Sequence, residues 1–331
     1  MHNLEKGKIL VTGGAGFIGS TIIWTLNQLG LENIVVTDLL GTDEKWRNLV
    51  PLQFSDYLES NQFRQLLMRD KHHLGDIRTV FHMEACANTA ETDASYLIER
   101  NYEYSRLLAH WALKIDARYL YASSAATYGK EENNMADETE AIPDLRPLNM
   151  YAYSKQMFDL YARNNRMLNR ITGLKFFNIF GPNENHKGEM RSVVHKAFQQ
   201  ISDTGTMKLF KSHRKEYDDG KQKRDFLYVK DAAKMILHLA ESDAYGIYNI
   251  GSGEPHSWID LVNPIFEEMG ITPNIKFVEM PQRMRKNYQY YTQAKLEKLR
   301  STGYKAAVTP LRGAVKETVR DYLIQDKRLG E

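Results

Sequence analysis

"TGGAGFIGS", residues 12–20, decides how this chain folds. It ends the apolar run "KILVTG" (8–13) and sets Gly13, Gly16 and Gly19 as GxxGxxG at the opening of a helix-length segment. Glycine is required where a chain turns sharply, where backbone must approach a pyrophosphate, and where a helix packs closely on a strand. The helix start adds N–H groups and a positive dipole end. The next strand-like run, "NIVVTD" (33–38), ends in Asp38, nineteen residues after Gly19, where a carboxylate reaches an adenosine ribose. A glycine-rich turn that binds nothing does not account for strand, loop, helix, strand and acid in this order. Asp38 favours NAD, because its charge repels a 2′-phosphate. Lys45 and Arg47 follow shortly, and either can neutralise that phosphate. The residues alone leave NAD and NADP open.

Outward from this loop, β-branched runs alternate with helix-length amphipathic stretches. "TVFHMEA" (79–85) and "RYLYASSAATYG" (118–129) read as further strands. The alternation predicts βαβ units, hence an α/β protein with a Rossmann-type doubly wound parallel sheet. After "LKFFNIFGP" (174–182) the pattern mixes strand-like and helix-like pieces between Pro and Gly turns. We expect a dinucleotide-binding domain over 1–180 and, over 181–331, mainly a smaller mixed α/β substrate domain, with some segments returning to the first. "HRKEYDDGKQKR" (213–224) reads as an exposed charged loop.

The 331 residues are 42% hydrophobic and 26% charged, enough for a large core, and the formal net charge is only +2 with both signs mixed along the chain. That balance argues against nucleic acid or a membrane as partner, so any anion is bound locally. A single cysteine, Cys86, and no long apolar run point to a reducing cytoplasm without a disulfide framework. No metal is expected. The pairs His72/His73 and His186/His195 have no Cys or acidic companions at useful offsets and read as surface or core histidines.

The second chemical motif is "YAYSK" (151–155), with Tyr151 and Lys155 four apart on one helical face. A phenol ionises near ~10, and a neighbouring ammonium and a cationic nicotinamide lower that cost, so Tyr151 is the candidate acid/base. Tyr153, two residues from Lys155, faces elsewhere and is expected to pack. Upstream, "YASSAATYG" (121–129) offers Ser123 and Ser124 at a strand end, and Ser124 is the preferred partner for the reacting oxygen. A Tyr-to-Lys spacing of four also occurs on solvated helix faces. Only its company with the glycine loop and the serine strand end favours chemistry.

"TGGAGFIGS", "YASSAATYG", "YAYSK", "FNIFGP", "RDFLYVKDAA" and "YNIGSGE" together resemble the extended short-chain dehydrogenase/reductase family, the nucleotide-sugar epimerases and dehydratases. The likeness runs nearly end to end. "EACANT", "NYEYS", "HKGEM", "KLF", "KRDFLYV" and "NYQYYTQAKLEKLRSTGY" most resemble its branch acting at C6″ of an ADP-linked heptose, in lipopolysaccharide inner-core precursor synthesis. That resemblance implies an epimerase working through a ketone with bound NADP, Lys45 meeting the 2′-phosphate. It makes Lys187 of the "HKG" loop a second acid/base paired with Tyr151. Without it, Lys187 reads as a solvated or phosphate-binding lysine. It also implies cofactor contacts from Gly13, Gly16, Phe17, Ile18, Gly19, Asp38, Leu39, Lys45, Glu84, Ala85, Cys86, Ala87, Asn88, Asn101, Lys155 and Ile179. Asn178 would stand between cofactor and sugar. Glu189, Lys196, Phe210, Lys211, Ser212, His213, Arg224 and Tyr288 would hold the ADP-sugar, and a homo-oligomer is implied, a pentamer among the options.

Two alternatives compete. A UDP-hexose 4-epimerase shares the glycine loop and the Tyr/Lys pair but has no need of Lys187. A catalytically silent NAD(P)-binding sensor or scaffold would keep the fold without the reaction; retention of Tyr151, Lys155 and a strand-end serine counts against it. A dehydratase would carry an acidic pair after the serine strand, which "SSAATYG" lacks.

Overall fold

The computed structural model describes residues 1–69, 74–130, 135–285 and 288–331. Its centre is a seven-stranded parallel sheet in the order β10-β6-β5-β4-β1-β2-β3. The strands are β1 (Lys8–Thr12), β2 (Ile34–Asp38), β3 (Asp56–Glu59), β4 (Ile77–His82), β5 (Arg118–Ser124), β6 (Ile171–Phe176) and β10 (Gly246–Ile250). The doubly wound expectation is borne out. β1 pairs with β2 on one side and β4 on the other, so the order reverses at β1, and a crevice opens beyond the carboxyl ends of β1 and β4.

Both sheet faces are covered, which is why β2 is buried at every position and opens on three consecutive apolar residues, Ile34, Val35 and Val36. Helices Phe17–Gln28 and Val229–Glu241 pack together over one face through Ile22, Ile23, Leu26, Met235, Ile236 and Leu239. Helices Tyr104–Lys114 and Met150–Asn164 cover the other through Leu108, Trp111, Phe158 and Ala162. The second lobe holds a three-stranded sheet of β7 (Asn178–Phe180), β9 (Lys223–Tyr228) and β11 (Pro255–Ser257), and a pair of β8 (Met207–Phe210) with β12 (Ile275–Val278). Its core gathers Val194, Ile201, Phe226, Leu261 and Phe266, and also takes in Phe17 from the glycine-loop helix. The two lobes therefore meet at the first residue of that helix.

Three details of the strands go beyond the sequence reading or correct it. The run 118–129 stops being a strand at Ser124. There the Ser124 hydroxyl accepts from the Ala126 N–H at 3.1 Å and starts a tight 3₁₀ turn over Ala125–Tyr128. The apolar stretch 174–180 is two strands, broken where the Phe177 N–H turns to the Ile250 carbonyl. β3 carries no apolar alternation and was not foreseen; it pairs along the outer edge of β2.

Candidate functional site

The glycine loop turns between β1 and helix Phe17–Gln28. Gly13 has φ +67°, and a Cβ on it would sit 2.7 Å from the Glu84 nitrogen. A Cβ on Gly19 would run into the Gly13 carbonyl. The helix opens on Gly16 with no side chain capping its first turn. A cradle that a single methyl would fill, at a bare helix N-terminus, fits the pyrophosphate of a dinucleotide. Asp38 closes the loop from below: one carboxylate oxygen accepts from the Ala15 N–H at 2.9 Å, the other from the Leu39 N–H at 2.7 Å and from Lys45 Nζ at 2.8 Å. Lys45 is thus ion-paired to the acid that a 2′-phosphate would have to approach.

These residues line a groove of about 340 Å³. Of the expected cofactor contacts it gathers Gly13, Gly16, Phe17, Ile18, Gly19, Asp38, Leu39, Lys45 and Glu84 to Ala87. Glu84 receives the Ser60 hydroxyl at 2.6 Å; burial lifts its carboxyl to about 7, against the opposing pull of that hydroxyl. Asn101 stands behind the groove, where its amide clamps both the N–H and the carbonyl of Cys86 and donates to Ser154. Asn88 turns to the Ala90 N–H. The groove also includes Tyr96 and Arg100, which the sequence reading did not single out, and His186, which it read as a surface or core histidine.

A second cavity of about 490 Å³ adjoins the first, and Ala87 and Lys187 line both. Its floor is the end of β5 and the first turn of helix Met150–Asn164, capped by the Asn149 side chain on the Ala152 N–H at 2.8 Å. Ser124 and Tyr151 face it. Burial pushes the Tyr151 phenol above its ordinary value, partly offset by its hydrogen bond with Ser124. Ser123 points the other way, donating to buried Asp159 at 2.7 Å beside the Lys175 ammonium. Of the two strand-end serines, only Ser124 is turned to the cleft. Lys155 is buried with Nζ on the Ala122 carbonyl at 2.9 Å, and burial brings its ammonium down to about 8 against the Asp159 carboxylate. Tyr153 is 47% exposed, so the packing expected of it is corrected: as the helix's outward residue it meets solvent.

Lys187 sits in the 3₁₀ segment Asn185–Met190. Its Nζ is 3.0 Å from the Glu184 carboxylate and 4.7 Å from the Phe17 ring centre. Asn178 and Ile179 line the larger cavity with Arg191, Trp258 and Gln289. The Arg224 guanidinium lies over Tyr288 at 5.2 Å and donates to the Gln289 carbonyl. Phe210 meets Tyr288 edge-on at 6.5 Å. Beyond them Lys211, His213 and Arg285 surround Glu279, Lys211 at 3.1 Å, while the Ser212 N–H is bound by Asp219. Glu189 projects fully into solvent near Lys196, at 3.7 Å, and neither lines the cavity. Arg191, four residues after Lys187, was within reach of sequence reasoning as a second cation on the same loop. Trp258 and Gln289 carry no local signal.

Among the described residues no group of His, Cys, Asp and Glu could hold a metal ion. His186 is held low, to about 4, mainly by burial, and His195 is core; His72 and His73 lie outside the described residues. Among the described residues no helix is long and apolar enough to cross a membrane.

A glycine cradle, an acid at the end of β2, and a Ser/Tyr/Lys set across the cleft agree with comparison to known proteins, where the model of the NAD dependent epimerase/dehydratase family matches residues 9–251. The chain belongs to that family. A relative named ADP-L-glycero-D-manno-heptose-6-epimerase, from Nitratidesulfovibrio vulgaris (strain DP4), is 45% identical over 95% of this chain and 97% of its own length. Among solved structures, the Helicobacter pylori ADP-L-glycero-D-manno-heptose-6-epimerase superposes with a TM-score of 0.79 at 24% identity, covering 96% of each chain. A UDP-N-acetylglucosamine 4-epimerase from Methanobrevibacter ruminantium M1 reaches 0.82 at 23% identity, over 98% of this chain and 100% of that one. At such identities the structural likeness establishes the fold and does not separate sugars.

Proposed function

We propose that the protein converts ADP-D-glycero-β-D-manno-heptose to ADP-L-glycero-β-D-manno-heptose by inverting C6″, a step supplying heptose for the lipopolysaccharide inner core. Gly13, Gly16, Gly19 and Asp38 would hold the dinucleotide, with NADP preferred over NAD and Lys45 and Arg47 serving its 2′-phosphate. When bound, the nicotinamide supplies reversible two-electron oxidation of the carbinol carbon to a ketone. The chain's own task is the proton on O6″. Tyr151, hydrogen-bonded to Ser124, takes and returns it for one configuration. Lys187, on the opposite loop, serves the other. Lys155 keeps its ammonium behind Tyr151 and favours the phenolate when both are in place.

The observation that carries this reading is the position of Lys187 on the wall shared by both cavities, with Tyr151 lining the larger. A 4-epimerase working through one tyrosine has no use for an amine there. The 45% identity to a protein named for the heptose reaction supports the choice of sugar. The test incubates both ADP-heptose epimers and UDP-galactose with catalytic amounts of protein. Interconversion of the heptoses alone supports the proposal. Turnover of the UDP-hexose alone would replace it with the 4-epimerase, and turnover of none, with cofactor bound, would favour the silent binder. Cofactor released by denaturation and identified by mass decides between NADP and NAD.

A further inference from the structure

We propose that Glu184 is the positioning residue for Lys187, a carboxylate sealed inside the loop whose function is to hold that amine at the junction of the two cavities. The inference rests on the acid/base reading of Lys187 given above.

The Glu184 side chain is wholly buried, 0% exposed. A carboxylate is costly to bury unless its oxygens are paired and hydrogen-bonded. Here they are. One oxygen accepts from the Ser192 N–H at 2.7 Å and from Lys187 Nζ at 3.0 Å, the other from the Gly181 N–H at 3.3 Å. These donors come from the start, middle and end of the segment 181–192, so one side chain ties the whole loop around itself. His195 on the following helix feels this carboxylate, opposed there by Arg191 and Arg328. A staple that only shaped the loop would need the two backbone donors. The remaining position is given to the amine that lines both cavities.

The other side of Lys187 is fixed as well. Its ammonium lies 4.7 Å from the centre of the Phe17 ring, and Phe17 is the first residue of the helix that opens at the glycine loop. A cation between a carboxylate and an aromatic face loses most of its rotamer freedom before substrate arrives. For a proton-transfer group that must meet one oxygen, such placement contributes directly to rate. Glu184 itself lines neither cavity; it reaches the larger one through Lys187 and through Ser192, whose N–H it holds, and of these only Lys187 carries an amine.

The test is a double-mutant cycle on the full-length protein with bound cofactor: Glu184→Gln, Lys187→Ala and the pair, each read for kcat, KM and cofactor retention. Glu184→Gln should lower kcat by about 10–100-fold with KM changed by less than about threefold and cofactor retained. In the Lys187→Ala background the same change should cost less than about twofold, because the partner it positions is gone. An equal fold loss in both backgrounds, or loss of cofactor in step with activity, would overturn the proposal in favour of a loop staple. A second readout does not depend on catalysis: the rate at which trinitrobenzenesulfonate modifies Lys187, followed by peptide mass spectrometry at fixed pH. Glu184→Gln should change it several-fold, and an unchanged rate sinks the pairing. Full activity in Lys187→Ala would remove the acid/base reading while this chemical readout still judged the positioning. Should Glu184→Gln fail to fold, Glu184→Asp, which draws the charge back by one methylene, enters the same cycle with the same expectations.

Discussion

The groove of Gly13, Asp38 and Glu84 grows from the ends of three neighbouring strands of one sheet, whereas the adjoining cavity draws Ser124, Tyr151, Arg191, Trp258 and Gln289 from five separated segments. In the groove, the determinants are backbone and buried: Asp38 is 3% exposed and fixed by the glycine loop it supports. Outside the cavity, charge is exposed and paired internally, as where Lys211, His213 and Arg285 meet Glu279. The difference teaches that the fold fixes the groove tightly and leaves the adjoining cavity to side chains that can change without disturbing the sheet.

The sharpest way to separate the two regions is to remove chemistry from one while sparing the other. Tyr151→Phe and Lys187→Ala should each lower epimerisation by about 10²–10⁴-fold. Both proteins should leave purification with cofactor still bound, measured by its absorbance. Loss of cofactor in Tyr151→Phe would mean that the cavity and the groove are one structural unit; loss in Lys187→Ala alone would mean that this amine, which lines both, also holds the dinucleotide.

The converse change strikes the groove. Gly19→Ala puts a Cβ into the Gly13 carbonyl, and overpacking of that kind costs about 1–3 kcal/mol. Cofactor affinity and thermal stability should fall together, with activity restored by excess cofactor. Unchanged affinity would mean that the cradle yields and that its closeness is not what binds.

Glu84 offers a pH test of the same region. Its carboxyl ionises near 7 in the fold against an ordinary 4.5, so below about 4.5 it is protonated folded or unfolded and costs nothing. As pH rises from there to about 7 the unfolded chain releases the proton and the fold keeps it, and the full penalty applies above 7. Glu84→Gln should therefore gain stability relative to wild type through that window and hold the gain above it, on the order of 2 kcal/mol. Parallel Tm curves for the two proteins from pH 4 to 8 would show that burial of this carboxylate is not the cause.

The smallest effect belongs to the exposed cluster around Glu279. Glu279→Gln should move Tm by no more than about 2 °C, since exposed ion pairs contribute little. By releasing Lys211, His213 and Arg285 it should lower KM for the ADP-sugar at low salt. A higher KM would place Glu279 itself against the substrate.

The sequence disclosed the groove because its constraints are local. GxxGxxG, the strand before it and the acid after the next strand lie within 31 residues, and each residue type answers a steric or electrostatic demand that few others meet. Tyr151 and Ser124 were legible for the same reason, as a helix start and a strand end. Glu184 was not: an acid three residues before a lysine looks like a solvated pair until the fold buries it. Trp258 reaches the cavity because β11, which it follows, pairs with β9 beside β7, and Gln289 because its segment hydrogen-bonds to Lys223 of β9, juxtapositions with no periodicity to announce them. The end of β5 was overread because "AATY" is as apolar as the strand it follows, and only the Ser124 cap turns the chain.

Proton NMR of ADP-D-glycero-β-D-manno-heptose incubated with catalytic amounts of the protein, with reduced-nicotinamide absorbance recorded alongside, tests the central claim most directly. Conversion at C6″ to an equilibrium of both epimers, without accumulation of reduced cofactor, is the predicted result. No conversion by protein shown to hold its cofactor would contradict it.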